Sequence, residues 1–358
     1  MIYMVLVTIM TFNFAFLKRE KLNKKYLSPD YYWFLFCVFV LILFYGLRWN
    51  VGIDYMSYYN MAVNKTWMSE RQGGGTLEWG FQFLYYFDDF FNLPIFSYAI
   101  LGGAIIFIFL FDAVYDNSDN YALSLFIFFS SGLLFFAFNE FRQFIAVAII
   151  FYGYKFCHKK NFLSWCFICI LAFFFHKSSI LYLPIYFLWH KKFSRCFINI
   201  CILCAIIIKQ FDILFILKFI IGFFPGHYHG YVEVLELIKT EASGITGYVY
   251  ILMSFLLNNS KKRKSIYVGR NAAYINFFIV ATLVSNIFAE YYMVTRIVEY
   301  LLICIVIVYP IFYKDSKQSI PRYILFCAIT AFFLVNLIKY AFFSPKDSLL
   351  TYQTVFSR

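Results

Sequence analysis

Apolar residues in this chain come in long runs that recur from end to end, separated by short polar loops. The short alternating segments of a β-barrel are absent. Runs at 1–17, 31–47, 95–111, 121–138, 143–157, 162–175, 178–190, 196–208, 247–257, 271–289, 297–313 and 323–343 predict about twelve transmembrane helices in one all-α, polytopic domain over 1–358. The range is ten to thirteen. Several runs fall short of the roughly twenty residues that span a bilayer. The segment 211–224, apolar but holding Asp212 and Lys218, reads as an interfacial helix or a thirteenth crossing. Two longer polar stretches predict outer loops at 48–94 and 209–246, the first with an aromatic interfacial helix after Glu78. The run 1–17 has no basic residue before it and no small-residue cleavage site, so it reads as a first span and not a signal peptide.

Composition agrees with this class. The chain is 63% hydrophobic and 24% aromatic, with mean hydropathy +0.71, beyond the range of soluble domains. The net charge of +12 follows from loop bias, so nucleic acid is not an expected partner; the lipid bilayer is. One set of alternate loops carries 18 Lys and Arg residues and the other 11, which predicts that the first set is cytoplasmic and both termini lie outside. The cytoplasmic loop 112–120 has no Lys or Arg and weakens that assignment locally. Of the nine cysteines, Cys166 and Cys169, and Cys201 and Cys204, have metal-ligand spacing but sit in apolar runs; they read as small helix residues, with no disulfide or zinc expected. No internal repeat is visible, which counts against transporter folds built from repeats.

Isolated polar residues collect at the predicted outer ends of the spans. Arg48 and Asp54 follow the second run, and Glu78 precedes the aromatic segment. Asn139, Glu140, Arg142 and Gln143 form one turn, His176, Lys177, Ser178 and Ser179 another, and Glu290, Arg296 and Glu299 surround the start of the eleventh run. Singly, each has a plain reading: a snorkelling arginine, a capping Asp or Ser, a solvated glutamate. Collectively, arginines converge on the face where positive charge is normally sparse. Arginine suits bidentate phosphate recognition, and diphosphate-linked lipids present phosphates at that surface.

These residues resemble the EpsG family, the Wzy-type polymerases of exopolysaccharide, capsule and O-antigen assembly. An R-x-x-V/I-G-x-D-x-x-x-Y element reads here Arg48-Trp-Asn-Val-Gly-Ile-Asp54-Tyr-Met-Ser-Tyr58. A Glu-rich, Gly-containing aromatic stretch reads Glu78-Trp-Gly-Phe-Gln-Phe. Asn139-Glu-Phe-Arg142-Gln143-Phe-Ile-Ala146 and Phe175-His176-Lys-Ser178-Ser179, with Leu183-Pro184 downstream, follow in order, and Arg296 closes the set. The resemblance implies a metal-independent glycosyltransferase without cofactor, compatible with a GT-C-like architecture, in the bacterial cytoplasmic membrane with its site facing outside. It would join undecaprenyl-diphosphate-linked oligosaccharides, one as donor and one as acceptor, with a flippase and a chain-length regulator as partners. On this reading Arg48, Arg142 and Arg296 bind the diphosphate. His176 is the first candidate for the base, followed by Asp54 and Glu78, and Gln143, Glu140, Glu299 and Lys177 give support. The alternatives are a flippase or transporter of the same lipid-linked sugar, or a membrane acyltransferase, for which only His158 and His190 lie on the cytoplasmic side.

Overall fold

The computed structural model describes residues 2–17, 28–68, 77–211, 214–221, 244–342 and 352–356. Most of the expected outer loop 209–246, the tip of the loop 48–94, the basic loop after the first run and part of 211–224 lie outside the described residues. The described chain is almost wholly helical. Helices α1 (Ile2–Phe16) and α2 (Pro29–Gly46) are followed by a two-residue strand, β1 (Arg48–Trp49), and by α3 (Tyr55–Val63) and α4 (Trp79–Phe90). Then come α5 (Ser97–Asn117), α6 (Tyr121–Ser130), α7 (Leu133–Asn139), α8 (Phe141–His158), α9 (Phe162–Phe175), a 3-10 turn (Lys177–Tyr182) and α10 (Ile185–Leu188). The remainder is α11 (Arg195–Ile208), α12 (Leu214–Ile221), α13 (Ile245–Asn258), α14 (Arg263–Ile266), α15 (Arg270–Ile287), α16 (Tyr292–Leu302), α17 (Ile305–Ser316), α18 (Ile320–Phe342) and β2 (Gln353–Thr354).

Among the described residues, α2, α5 and α18 are long and apolar enough to cross a membrane alone. The bent pairs α6–α7 (54°) and α16–α17 (56°) raise the number to five if each counts as one span. That is fewer than the twelve apolar runs suggest, for local reasons. Helices α1, α9, α11 and α13 have only 14 or 15 residues, or roughly 21–23 Å of rise. The run 121–138 is interrupted at Gly132, whose φ of +93° starts a new helix direction. The run 178–190 is no continuous α-helix: it forms a 3-10 turn, then a four-residue helix behind Pro184, which has no N–H to extend the ladder. Large apolar side chains still cover the outside, among them Leu163 at 82% exposure and Ile320 at 78%. A water-facing surface of that kind is costly, and this is a membrane protein.

Helix α8 is the central element. It packs on α5 and α9 and also meets α7, α16 and the 3-10 turn; nearly all of it from Phe141 to Cys157 is buried. Small residues let neighbours close in. A Cβ on Gly46 would come within 2.6 Å of the Ile100 backbone, and one on Gly103 within 2.7 Å of the Tyr45 ring. Helix α4 lies against α5 and α9 as an aromatic plank, with Phe81, Leu84 and Tyr85 inward and Trp79, Phe83 and Phe90 outward. Its Asp88 accepts a 2.6 Å bond from Tyr98 N, satisfying one of the open donors at the start of α5. At the far end of the bundle, buried Asp315 ties α13, α17 and α18 together through Ser260, Gln318 and Arg322.

The C-terminal segment returns to the start of the chain. β2 pairs antiparallel with β1, Arg48 opposite Thr354, and the Tyr352 ring stacks on Phe44 at 4.3 Å.

Candidate functional site

The site is organised by the first turn of α8. Successive residues of a helix point about 100° apart, so Glu140, Arg142 and Gln143 reach different neighbours. Arg142 sends Nη1 to Glu78 Oε2 and donates from Nε to the Tyr58 hydroxyl at 3.1 Å. His176, at the end of α9, brings Nδ1 to 3.5 Å from Glu78 Oε1. Glu78 thus stands between a guanidinium and an imidazole. Its burial works against ionisation, but the His176 and Arg142 contacts outweigh this and hold its carboxyl down to about 2.

A second group adjoins the first. Arg296 of α16 places Nε 3.2 Å from Glu140 Oε1. Gln143 donates from Nε2 to the Arg296 carbonyl at 2.6 Å and to Glu299 Oε2 at 3.0 Å. The Ser178 and Tyr300 hydroxyls are 3.3 Å apart, and the Tyr182 ring stacks on Tyr300 at 4.5 Å. Tyr300 lies within electrostatic reach of Glu78, Glu299 and Arg296, linking the groups. Glu140 and Glu299 are buried, while Arg142, Arg296 and His176 keep 20%, 27% and 21% of their side chains exposed. The two guanidinium groups and the imidazole therefore reach the surface, with Glu78 and Glu140 behind them. Lys177 is exposed beside His176, and Ser179 is buried. Glu290 lies half-buried before α16.

Backbone approach explains the local sequence. A Cβ on Gly80 would sit 2.9 Å from the Phe174 carbonyl oxygen, so only glycine lets α4 start against the end of α9 and bring Glu78 to His176. Gly52 has φ +104°, and a Cβ there would lie 2.5 Å from the Phe138 carbonyl oxygen. Next to it, Ile53 N donates to Asn139 Oδ1 at 3.0 Å. The loop after α2 is thereby pinned to the α7–α8 turn, and Asp54 opens α3, which delivers Tyr58 to Arg142.

Arg48 is turned onto its own loop. It is 1% exposed, donates to the Val51 carbonyl at 3.2 Å and to the Tyr45 carbonyl, and lies 3.8 Å over the Tyr45 ring. The guanidinium folds the R-x-x-V-G turn onto itself. Sequence reasoning did not single out Tyr300 and Tyr182, which are indistinguishable from the many other aromatics. The Glu78-x-Gly80 spacing is the one signal that could have disclosed the α4–α9 contact. Among the described residues, no group of three or more His, Cys, Asp or Glu is arranged to hold a metal ion.

The EpsG family model matches residues 31–354. The chain belongs to the EpsG family. The match runs from α2 to β2, so it includes every residue of both groups and the returning C-terminal segment. No curated protein and no solved structure matches this EpsG-family chain.

Proposed function

We propose that this protein is a polymerase that joins undecaprenyl-diphosphate-linked oligosaccharide repeat units into an exopolysaccharide, capsule or O-antigen chain at the outer face of the bacterial cytoplasmic membrane. Family membership supports a place in polysaccharide assembly. The observation that carries the reaction class is the convergence of Glu78, His176 and Arg142, with Arg296 beside them, at one end of an apolar bundle.

In the reaction, an acceptor hydroxyl oxygen bonds to the donor's anomeric carbon as the bond from that carbon to the diphosphate oxygen breaks. The bonding pair leaves with the diphosphate-lipid. Arg142 and Arg296 offer planar donor forks to the growing negative charge. The hydroxyl proton goes to His176 Nε2, the nitrogen turned away from Glu78. A carboxyl held near 2 is a poor proton acceptor at neutral pH, so Glu78 fits a positioning role: it fixes the imidazole and the Arg142 fork. Asp54 stands at the start of α3, the helix that carries Tyr58. No metal is required for these steps.

The test is reconstitution. Purified protein in proteoliposomes, given undecaprenyl-diphosphate-linked repeat units, should release one undecaprenyl diphosphate per linkage formed. Movement of intact repeat units across the membrane with no new linkage would replace this reading with a flippase.

A further inference from the structure

At the opposite end of the bundle the chain encloses a second feature that the polymerase reading does not use. A cavity of about 500 Å³ opens between the segment after α10 and helices α14 and α15. His190 on its wall touches the Cys157 carbonyl at 3.1 Å. Cys157 lies fifteen residues along α8 from Arg142, or about 22 Å, so the cavity is separate from the site above. Lys191, Lys192, Arg263 and Lys264 line it, and no acidic side chain does. Arg263 is fixed by the Phe193 carbonyl at 2.8 Å and lies 4.2 Å over the Tyr267 ring. The lysines are exposed.

Loop bias alone would scatter cations over a surface. Here four share one concavity, where their mutual repulsion is relieved by an anion. Two wall residues add a chemical requirement. Trp189 and Asn276, 3% and 4% exposed, each carry a buried polar atom without a hydrogen-bond partner: indole Nε1 and amide Oδ1. Such groups are costly when unmet. The indole N–H needs an acceptor, and Asn276 Oδ1 needs a donor. A phosphate ester that also bears a free hydroxyl supplies both.

We infer that this cavity is a binding site for a hydroxylated phosphate ester, either a phospholipid headgroup or a soluble phosphate. On the orientation favoured by the Lys and Arg counts, it faces the cytoplasm.

The probes are phosphatidylglycerol and glycerol 3-phosphate. The full-length protein is placed in phosphatidylcholine nanodiscs, with and without phosphatidylglycerol, and retained lipid is counted by native mass spectrometry. Glycerol 3-phosphate is titrated separately. The wild type should hold one of the two, and K191Q/K264Q should hold it at least about tenfold more weakly, having lost two charge-assisted contacts. Retention of phosphatidylglycerol alone assigns a lipid; binding of glycerol 3-phosphate alone assigns a soluble ligand. The control K314Q/K317Q removes equal charge elsewhere, at Lys314 with 74% side-chain exposure, and should bind normally. Acetylation footprinting of the wild type needs no variant: the bound probe should protect Lys192 and Lys264 and leave Lys314 reactive. Equal binding by wild type and K191Q/K264Q, an equal loss in the control, or no protection would overturn the site.

Discussion

Removing the charge of Glu78 is the most informative single change. In Glu78→Gln the side chain keeps its shape but faces Arg142 and His176 as a neutral amide. The Glu78 carboxyl lies at about 2 against an ordinary 4.5, which corresponds to about 3 kcal/mol of preference for the ionised form in the folded site. The group keeps only 10% of its side-chain surface exposed, so solvent screens little of this. The amide retains some hydrogen bonding, and Arg142 is partly hydrated, so the variant should lose about 1–3 kcal/mol of stability. The sign follows from linkage: a carboxyl depressed in the folded state stabilises fully above pH 4.5 and loses that contribution as pH falls towards 2. Purified wild type and Glu78→Gln should therefore differ in melting temperature at pH 7 and converge as pH drops below about 4. Polymer formation at pH 7 should fall by about 10²-fold, because the Arg142 fork and His176 ring lose their common anchor. Equal melting curves at neutral pH, or a difference that persists unchanged at pH 3, would refute the coupling.

Arg142→Lys should be nearly as inactive as Arg142→Ala in a polymer-length gel, since lysine keeps the charge but not the fork; near-normal polymer from the lysine variant would make Arg142 an interfacial anchor. Arg48→Met should mainly destabilise, by roughly 3 kcal/mol in a detergent melt, because two carbonyls and a ring stack lose their partner; a stable but inactive Arg48→Met would return Arg48 to the diphosphate site. Gly80→Ala should push α4 off the end of α9 and lower activity without removing any charged group; a cross-linking distance between positions 78 and 176 that matches wild type would contradict this.

The helices were legible where a run is bounded by polar residues and carries no internal break. The run 162–175 forms α9 over the same residues, and 31–47 forms α2 within two residues at either end. What escaped was direction. Uniform apolarity gives no hint of the turn at Gly132 or of the 3-10 path before Pro184, because hydropathy records burial and not backbone geometry. The pairing of residue 48 with 354 joins distant segments and leaves no local pattern. For the site, charged residues at helix ends were visible as candidates, but their partners were not. An arginine at a helix end looks the same in sequence whether it reaches the surface, as Arg142 does, or folds back on its own carbonyls, as Arg48 does.

If the Glu78–His176–Arg142 group carries out glycosyl transfer, His176→Gln will show it in cells, in the length of polymer and in the leaflet in which lipid-linked single repeats reside. The variant should be a stable protein that makes little long polymer and leaves single repeats accumulating on the outer leaflet. Polymer of normal length and amount from His176→Gln, or single repeats confined to the cytoplasmic leaflet, would rule that role out.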